Sequence, residues 1–526
     1  MGTDPADSGR EQHHLSADEQ LLHKLGYAQE LYRAMGGFGN FAISFTIISI
    51  LAGCLTSYFI AFQNGGPVAV TWGWLLVGSF CTIVALAMAE IASSMPTAGG
   101  LYYWSSKLGS PGWGWFTGWF NLIGQISVTA AIDYGAATFV SSLFNLWFSM
   151  TTTPQHVFIV YTCVILLHLG INLFGLPVLN LLNTVSAWWH MAGVAVIVLI
   201  LIVIPDHHQS ASFVFTKTLN TSGFSGVDFS HPVFWFVFGI GLLMAQYTIT
   251  GFDASAHLSE ETKGAARGAA LGIIMSVVVS VVFGFILLVA VTFAVPDVQG
   301  TLGAGAFDVQ YIWQTATSDK WAEFMLVIAC VAQLFCGAAS VTSASRMLFA
   351  FSRDGAVPGH QWWRRLAIGR TPVYAVAAIC VLAWALMLPT LSNAAVGYLV
   401  GTSIAVIGLY LAFVLPIILR WRLADRFEAG EWSLRQHYKW IDPLAIIWIA
   451  FICILFLMPT VPQGIPGNGA GFDWNLVNYA PLTVGGAFVL FGGWWIISAN
   501  RWFKGPISQG DEAELERIEA QYSAGD

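Results

Sequence analysis

The sequence predicts an all-α membrane protein with twelve transmembrane helices. Of its 526 residues, 56% are hydrophobic and only 10% are charged, whereas about 25% of the residues in a soluble globular domain are charged. The apolar residues occur in long runs, and a helix of about 20 such residues crosses a hydrocarbon core about 30 Å thick. The runs are too long and too continuous for the alternating strands of a membrane barrel, so helices are the expected spanning elements.

The apolar runs divide into twelve predicted spans where proline, glycine and clusters of charge interrupt them. The third and eighth spans exceed the length that a bilayer requires, so we expect these two helices to be tilted. The spans cover residues 38–62, 68–94, 113–148, 157–174, 179–204, 233–254, 269–295, 321–351, 373–390, 394–419, 441–458 and 479–497.

Basic residues lie almost entirely on one side of this arrangement. If the N-terminus is inside the cell, only Lys217 and Lys320 fall outside, Arg346 falls within span eight, and every other Lys and Arg falls inside. Basic residues are retained on the cytoplasmic side of a membrane. The sequence therefore predicts a multi-pass protein of the plasma (inner) membrane, with an even number of spans and both termini in the cytoplasm.

The composition excludes several other classes of protein. The polar stretch before the first span lacks the basic region and cleavage site of a secretory signal. The seven cysteines lie inside apolar runs without a CxxC pair, so we interpret them as packing residues rather than disulfides or metal ligands. The net charge of −8 and the dispersed basic residues argue against a nucleic-acid surface. We expect no nucleic-acid partner, no metal and no cofactor.

The chain also lacks the motifs of common enzyme classes. It contains no HExxH, no Walker-type phosphate loop and no GxSxG. We therefore predict that it is not an enzyme. Because no ATP-binding motif is present, any uphill movement of a solute must draw on an ion gradient or on an exchange partner.

Two spans are interrupted near their middle by small and polar residues. Residues 49–57 of the first span read SILAGCLTS, and residues 246–256 of the sixth read QYTITGFDASA. Backbone groups that a break frees in lipid must be satisfied by protein, water or a bound solute. Alone, the first interruption is explained equally well by close packing of small residues. Paired interruptions five spans apart are instead typical of a transport site between two inverted repeats.

Three acidic residues within the spans are candidates for function, because each is costly in the bilayer unless it is paired or hydrated. Asp133 lies mid-span and could face a substrate ammonium group, exchange a proton, or be hydrogen-bonded to neighbouring helices. Glu90 lies near the inner end of span two and is expected to pair with a cytoplasmic arginine, with gating as the alternative. Asp253 follows the interruption of span six and is expected to cap or hinge the second half-helix.

Two histidines and one arginine complete this set of candidates. His190 in span five would titrate near neutral pH and suits proton coupling, although a lone histidine among aromatic residues is more often packed and hydrogen-bonded. His168 in span four has a weaker case for the same role. Arg346, within span eight, is a further gating candidate.

Three stretches of the sequence resemble the signatures of one transporter family. Residues 89–104 read AEIASSMPTAGGLYYW, residues 250–262 read TGFDASAHLSEET, and residues 345–355 read SRMLFAFSRDG. Together they resemble the amino acid–polyamine–organocation superfamily, specifically the amino acid/choline branch that includes GABA and choline permeases. The resemblance covers residues 28–503 and leaves out the acidic tails.

The resemblance implies a LeuT-type fold: a five-plus-five inverted repeat with helices one and six unwound, followed by two peripheral helices. The expected divisions are an N-terminal cytoplasmic tail, a first repeat, a second repeat, a final helix pair and an acidic C-terminal tail. They cover residues 1–37, 38–204, 205–420, 421–503 and 504–526.

Carried over by position, the resemblance also implies a substrate site in the two interruptions. Backbone amides would bind a carboxylate, and they belong to Gly53, Cys54 and Leu55. Backbone carbonyls would bind an amino group, and they belong to Ile50, Ala245 and Gln246. The remaining expected binding residues, of which the tyrosine would form an aromatic wall or gate, are Ala52, Asp133, Tyr247 and Thr250.

The implied function is that of a secondary active permease, which would import an amino acid or a related amine such as GABA by alternating access. Proton-coupled members of the family often use a lysine in helix five, whereas this region contains His190 and no lysine. The hydroxyls of Thr342 and Ser343 could line a sodium site, so proton coupling is favoured only slightly over sodium. The alternatives are a polyamine or choline permease, an amino acid exchanger, and a membrane sensor that binds the ligand without moving it.

Overall fold

The computed structural model describes residues 15–174, 176–367 and 370–523. Within these ranges the chain is helical, and its extended pairing is limited to two isolated bridges, Met35 with Thr262 and Asn64 with Asn220. The predicted all-α fold is therefore confirmed. Residues 1–14 and 524–526 of the two predicted tails lie outside the described residues.

Eleven helices among the described residues are long and apolar enough to cross a membrane. Each corresponds to one of the twelve predicted spans. The remaining prediction, residues 233–254, corresponds to the shorter apolar helix Pro232–Thr248. The eleven are Gly37–Thr56, Pro67–Ser94, Pro111–Phe148, Pro154–Leu173, Pro177–Val203, Ala265–Phe293, Asp319–Arg353, Val373–Leu391, Ala394–Arg426, Arg435–Leu457 and Ala480–Trp502.

Several of these helices consist of shorter segments, which we number in chain order. The segments of the first half are α1 (Ala17–Lys24), α2 (Gly37–Ile48), α3 (Gly53–Thr56), α4 (Tyr58–Gln63), α5 (Pro67–Ser94), α6 (Gly100–Leu108), α7 (Pro111–Phe148), α8 (Pro154–Leu173), α9 (Leu176–Val203), α10 (Ala211–Thr216), α11 (Pro232–Gly241) and α12 (Leu243–Thr248). The segments of the second half are α13 (Ala254–His257), α14 (Ala265–Phe293), α15 (Val298–Gly303), α16 (Asp308–Ala316), α17 (Asp319–Arg353), α18 (His360–Trp363), α19 (Val373–Leu386), α20 (Ala394–Leu423), α21 (Tyr438–Leu457), α22 (Ala480–Trp494), α23 (Asn500–Trp502) and α24 (Glu512–Ser523).

Local residues explain why many of the boundaries lie where the sequence predicts them. Proline occupies the first turn of α5, α7, α8 and α11, where its missing N–H costs no helical hydrogen bond. The Thr153 hydroxyl caps α8 by accepting a hydrogen bond from the His156 amide. In the ninth span, α19 ends early and continues as the 3₁₀ turn Leu388–Leu391.

The first membrane helix lies inside the bundle, and the last lies at its periphery. In the most apolar 18-residue window, 89% of the residues are buried for Gly37–Thr56 but only 17% for Ala480–Trp502. The long helix α7 packs against α17 and α20, while α2 packs against α9 and α14. The interrupted first helix is therefore enclosed by protein rather than by lipid.

The two ends of the described chain meet at one end of the bundle. The His23 Nε2 atom in α1 lies 2.8 Å from Glu519 Oε1 in α24. The Gln509 amide donates to the Gly26 carbonyl at 2.9 Å. We call this end of the bundle the terminal face and the opposite end the far face.

The cysteines mostly occupy the packing positions that the sequence predicts. All seven are free thiols, and six of them are buried. Cys163 is exposed on α8, so the predicted packing role is wrong for this residue. A small apolar thiol can occupy such a position because lipid does not penalise an exposed apolar side chain.

Candidate functional site

The first membrane helix is broken near its middle, as predicted. α2 ends at Ile48, and Ser49 has a φ of 35°, in the left-handed region that non-glycine residues seldom adopt. The Ser49 carbonyl accepts hydrogen bonds from the amides of Ala52 and Gly53, both at 2.8 Å. The backbone therefore makes one tight turn between the two half-helices.

His190 of α9 holds this turn in place. Its Nε2 atom lies 2.6 Å from the Ser49 hydroxyl, and its Nδ1 atom lies 2.8 Å from the Ser186 carbonyl. Because a carbonyl can only accept, Nδ1 donates. Both nitrogens of this fully buried ring thus have a hydrogen-bond partner, and the ring ties α9 to the break.

The sixth predicted span is broken at a glycine. α12 and α13 lie on either side of Gly251, whose φ is 80°, a conformation that glycine adopts without a steric penalty. The carbonyl of Ala245 accepts from the Ile249 amide at 2.9 Å, and that of Tyr247 accepts from the Thr250 hydroxyl at 2.6 Å. Local donors therefore occupy part of the hydrogen-bonding capacity that the break releases.

The two breaks are in direct contact. A β-carbon on Gly53 would lie 2.6 Å from the Thr248 hydroxyl oxygen, and one on Gly251 would overlap Cγ2 of Ile47. Only glycine lets the backbones approach so closely at both positions. The tertiary structure thus joins two interruptions that lie five spans apart into one site, residues 49–53 with residues 248–253, which we call the break junction.

On the terminal-face side of the break junction, buried polar contacts join α2 to α13. The Ser44 hydroxyl lies 2.7 Å from the Ser255 hydroxyl and 3.0 Å from the Phe252 carbonyl. The Asn40 amide donates to the Ser255 carbonyl and to the Thr262 hydroxyl, both at 2.9 Å. These bonds close the junction toward the terminal face in this structure.

On the far-face side lies a cavity of about 250 Å³. Its wall includes Thr56, Phe59, Tyr134 and Tyr398. The Tyr398 hydroxyl donates to the Thr56 hydroxyl at 3.0 Å, and the Tyr398 ring packs edge-on against Tyr247 with 6.3 Å between centroids. Tyr398 therefore connects the cavity wall to Tyr247, whose role as an aromatic wall or gate stays a prediction.

Tyr134 and Tyr398, two of the aromatic residues that line the cavity, were not predicted from the sequence. A single tyrosine in an apolar span carries no motif. The only signal for Tyr134 was its position directly after Asp133. The signal for Tyr398 is its contact with Thr56, which exists only in the folded bundle.

Most of the predicted binding residues are brought together at or beside the break junction. They are buried there, namely Ile50, Ala52, Gly53, Cys54, Leu55, Ala245, Tyr247 and Thr250. Gln246 differs, because its side chain is held between α5 and α21. Its Oε1 atom accepts from Trp448 Nε1 at 3.2 Å, and its Nε2 atom lies 3.5 Å from Cys81 Sγ. Only the backbone of Gln246 is therefore available at the break.

Asp133 faces the neighbouring helices rather than the break junction. Its Oδ1 atom lies 3.0 Å from Nδ1 of His168 in α8, and both side chains are fully buried. A β-carbon on Gly135 would contact Thr56 of the first helix. Residues two apart on an α-helix point about 200° apart, so Asp133 points toward α8 and α17. Of the alternatives for Asp133, this placement favours pairing or proton exchange over contact with a substrate ammonium group.

Asp253 does not cap the half-helix that follows it, so the capping alternative is wrong, whereas the hinge alternative stays a prediction. Its side chain makes no hydrogen bond to the α13 backbone as a cap. Instead, Oδ2 accepts from Gln125 Nε2 at 2.8 Å and from Asn121 Nδ2 at 3.1 Å, and lies 3.3 Å from His257 Nε2. Asp253 therefore anchors α13 to α7, because two amides of α7 point at its carboxylate.

Glu90 forms the arginine pair that the sequence predicts. Its Oε2 atom lies 2.7 Å from Nε of Arg420, while Oε1 accepts from the Ser433 hydroxyl and the Leu434 amide, both at 2.9 Å. Both carboxylate oxygens are therefore engaged, which suits an anchor between α5 and the connection to α21.

Two buried ion pairs join α17 to the turn that follows α13. Arg346 Nε lies 2.8 Å from Glu261 Oε1, and Arg353 Nη2 lies 3.0 Å from Glu260 Oε1. The structure thus places the gating candidate Arg346 against the turn that follows α13, and its ion pair ties α17 to that turn.

The structure leaves the two hydroxyls considered for sodium open as an alternative. The Thr342 hydroxyl donates to Asn172 Oδ1 at 2.7 Å, which ties α17 to α8 and leaves the lone pairs of its oxygen free. The Ser343 hydroxyl has no hydrogen-bond partner among the described residues.

Asp354, directly after α17, joins both chain ends to the bundle. Its Oδ2 atom accepts from the hydroxyls of Tyr27 and Tyr102 at 2.8 and 3.0 Å, and its Oδ1 atom accepts from the Ile507 amide at 3.1 Å. Burial raises the pKa of the Asp354 carboxyl, while the adjacent Arg353 and these hydrogen bonds oppose the rise.

This raised pKa predicts a stability that depends on pH. An acid whose pKa is raised in the folded state contributes stability below its unfolded pKa and loses it as pH rises through the folded pKa. We therefore expect the melting temperature of wild type minus that of Asp354→Asn to be larger at pH 4.5 than at pH 7.5. Thermal unfolding of the purified protein in detergent measures this difference.

Asp228→Asn is a matched control, for which the pH dependence of stability should have the opposite sign. The Ser230 hydroxyl lowers the pKa of the exposed Asp228 carboxyl, so its contribution is lost as pH falls. The difference between wild type and Asp228→Asn should therefore be smaller at pH 4.5 than at pH 7.5. The raised pKa of Asp354 is contradicted if the difference in melting temperature from wild type changes in the same direction with pH for Asp354→Asn and for Asp228→Asn.

Comparisons with known proteins agree on one class. A family model described as amino acid permease matches residues 36–488. The amino-acid permease BAT1 homolog of Oryza sativa subsp. japonica is 38% identical over 93% of this chain and 95% of its own length. Amino-acid permease BAT1 of Arabidopsis thaliana is 36% identical over 94% of this chain and 97% of its own length. The GABA-specific permease of Saccharomyces cerevisiae is 28% identical over 93% of this chain and 86% of its own length.

Proposed function

The chain belongs to the amino acid permease family, and we propose that it imports an amino acid or a related amine such as GABA by proton-coupled alternating access. It is a multi-pass membrane transporter, not an enzyme. The observation that carries the proposal is the contact between the two breaks, Gly53 against Thr248. Broken helices that meet inside the bilayer offer free backbone dipoles to a small zwitterion.

The proposed architecture has twelve crossings in a five-plus-five inverted repeat. The sixth crossing is formed by α11 and α12 before the break and by α13 after it. The two repeats span residues 38–204 and 205–420, and residues 421–503 form two added helices. The peripheral position of the last helix, of which only 17% of the most apolar window is buried, supports this division.

The proposed orientation places the terminal face in the cytoplasm of a cell whose plasma membrane holds the protein. The support is the distribution of Lys and Arg, which leaves only Lys217 and Lys320 on the far face. The aromatic wall at Tyr247 and Tyr398 then closes the outer path, and the pairs of Arg346 and Arg353 close the inner path.

The proposed substrate site is the break junction itself. The amides at the start of α3 would bind the carboxylate, once the Gly53 amide has released the Ser49 carbonyl. The carbonyls of Ile50 and Ala245 would bind the amino group, and Tyr247 would cover it. A backbone site of this kind grips the group shared by all amino acids without burying an ion pair, since half-helix ends carry partial charges.

Proton coupling is proposed in preference to sodium coupling because of two buried contacts between an acid and a histidine. Asp133 and Asp253, inside the bundle, each lie beside a histidine that can carry a proton, His168 and His257.

Reconstituted protein tests the proposed function. Purified protein in liposomes should take up at least one labelled compound from a panel of GABA and the twenty amino acids, and an acid-outside pH gradient should drive its accumulation. A thermal-shift screen of the same panel should raise the melting temperature with the transported compound, because a ligand that binds only the folded state stabilises it.

Three outcomes contradict parts of this proposal. Binding without flux under any gradient indicates a sensor. Uptake only when an amino acid is present inside indicates an exchanger. Uptake that follows a sodium gradient and ignores the pH gradient overturns proton coupling.

A further inference from the structure

Two fully buried aspartate–histidine pairs lie inside the bundle, and their surroundings differ. In one, Asp253 receives hydrogen bonds from Gln125 and Asn121, so its carboxylate is stabilised whether or not His257 carries a proton. In the other, neither oxygen of Asp133 accepts a hydrogen bond from any described residue, and the ring of His168 makes none either. Among the described residues, the polar contact of the Asp133 side chain is therefore the 3.0 Å approach of its Oδ1 atom to Nδ1 of His168.

The neighbouring helix is shaped around this pair. A β-carbon on Gly337 of α17 would overlap both Asp133 Oδ1 and the His168 ring. Glycine at this position opens a recess in which the carboxylate and the imidazole meet. One turn further along α8, Asn172 donates to the carbonyls of His168 and Ala338 at 3.0 and 3.1 Å, which fixes the histidine against α17.

Among the described residues, no Lys or Arg forms an ion pair with Asp133, whose ion-pair contact is His168. The charge of Asp133 acts on two phenols and two thiols. They are Tyr161 of α8, Tyr247 of α12, Cys336 of α17 and Cys380 of α19. None of these groups can compensate a carboxylate charge, since each is neutral or negative.

The charge on the pair therefore depends on one proton. With a carboxylate and a neutral imidazole, the pair carries an uncompensated negative charge in the bilayer, which costs several kcal/mol. One added proton converts the imidazole to an imidazolium, or the carboxylate to an acid, and the pair then has no net charge. A second proton restores an uncompensated charge.

We propose that the Asp133–His168 pair is the binding site of the co-transported proton. The pair binds one proton in the closed arrangement of this structure and releases it when water reaches the pair in an open one. This proposal rests on the proposed proton-coupled import. His168 thereby takes the coupling role that the sequence suggested for His190, whose ring nitrogens are both engaged by Ser49 and Ser186.

A short path connects the pair to the break junction. Cys336 precedes Gly337, and its thiol donates to the Ile47 carbonyl at 3.1 Å. Ile47 in turn contacts Gly251 in the second break. A change in charge at the pair acts on the packing of α7, α8 and α17, and through Cys336 on the junction. Because the proton favours the closed state, it biases the cycle by its differential affinity for the two states.

Two transport measurements in the same liposomes test the proposal. The first is accumulation of labelled GABA, or of a labelled mixture of the twenty amino acids, under an acid-outside pH gradient. The second is exchange of the same label at equal pH on both sides. Asp133→Asn and His168→Gln should lose accumulation about ten-fold or more while exchange falls less than about three-fold. The exposed carboxylate-to-amide control, Asp228→Asn, should keep both activities.

Other patterns overturn the proposal. If Asp133→Asn accumulates the label as wild type does, the pair is not the proton site. If His190→Asn loses accumulation while Asp133→Asn retains it, the proton site is at His190. If folded Asp133→Asn loses exchange together with accumulation, Asp133 acts on the substrate instead.

Spectroscopy of the whole protein reports the protonation state of the Asp133–His168 pair without a transport measurement. Nitrogen-15 NMR reports an imidazolium at His168, identified by its absence in His168→Gln. Infrared absorption reports a protonated acid at Asp133, identified by its absence in Asp133→Asn. A proton on either group at pH 7 supports the proposal, and a carboxylate beside a neutral imidazole overturns it. If wild type moves none of the probes, the proposed function fails, and these spectra still test the proton site.

Discussion

Replacing Gly251 by alanine is expected to destabilise the folded protein by about 2–5 kcal/mol. The left-handed φ of 80° at this residue costs an L-residue about 1–2 kcal/mol. The added β-carbon would also overlap Cγ2 of Ile47, and overpacking of this kind costs about 1–3 kcal/mol. Because the overlap lies inside the break junction, uptake should fall together with the melting temperature. Thermal unfolding in detergent and uptake into liposomes measure the two effects.

Gly264→Ala separates the two causes. Gly264 has a similar φ of 63°, but a β-carbon there meets nothing within 4 Å. This variant should therefore lose only the conformational part of the stability and keep uptake. The double variant Gly251→Ala/Ile47→Ala removes the overlapping methyl group and should lose less stability than the sum of the losses of the two single variants. Equal losses in Gly251→Ala and Gly264→Ala would show that the contact with Ile47 is not responsible.

Replacing Arg346 by methionine is expected to have an effect of similar size, about 3–5 kcal/mol. Arg346 and Glu261 are almost completely buried, with side-chain exposures of 1% and 2%, and their charged atoms lie 2.8 Å apart. Methionine preserves much of the side-chain volume but leaves the Glu261 carboxylate without its partner in a medium that solvates charge poorly. The melting temperature of the purified variant measures the loss.

The double variant Arg346→Met/Glu261→Gln tests whether the unpaired Glu261 carboxylate causes the loss of stability. It removes both charges, so it should be more stable than Arg346→Met alone. Arg517→Met breaks the exposed pair with Glu514, whose side chains are 69% and 44% exposed, and should change stability by less than about 1 kcal/mol. If Arg346→Met loses no more stability than Arg517→Met, the buried pair does not stabilise the folded protein.

The positions of the breaks followed from the sequence because they depend on local composition. Residues that weaken a helix, such as Gly53 and Gly251, do so wherever the chain places them. The arginine partner of Glu90 was predicted for a similar reason, since a buried carboxylate near a basic connection requires a cation. The partner itself, Arg420, lies 330 residues away, and only the folded bundle identifies it.

Predictions that required a side-chain direction were less reliable. Asp253 stands where a helix cap would stand, but two amides of α7 bind its carboxylate instead. Gln246 lies in the interrupted segment, but its side chain points to Trp448. In both cases a neighbouring helix offered a better hydrogen-bond partner than the local backbone. Periodicity gives the position of a residue along a helix and carries no information about which helix packs beside it.

The membrane character of this protein, the places where two helices break, and its family follow from the amino-acid sequence. These properties depend on composition and on short motifs. The contact between the two breaks, the packing of Tyr398 against Tyr247 and the pairing of His168 with Asp133 became visible only in the folded bundle. The reason is physical: a contact between helices depends on side chains far apart in the chain, and its energy exists only when packing brings them within a few ångströms.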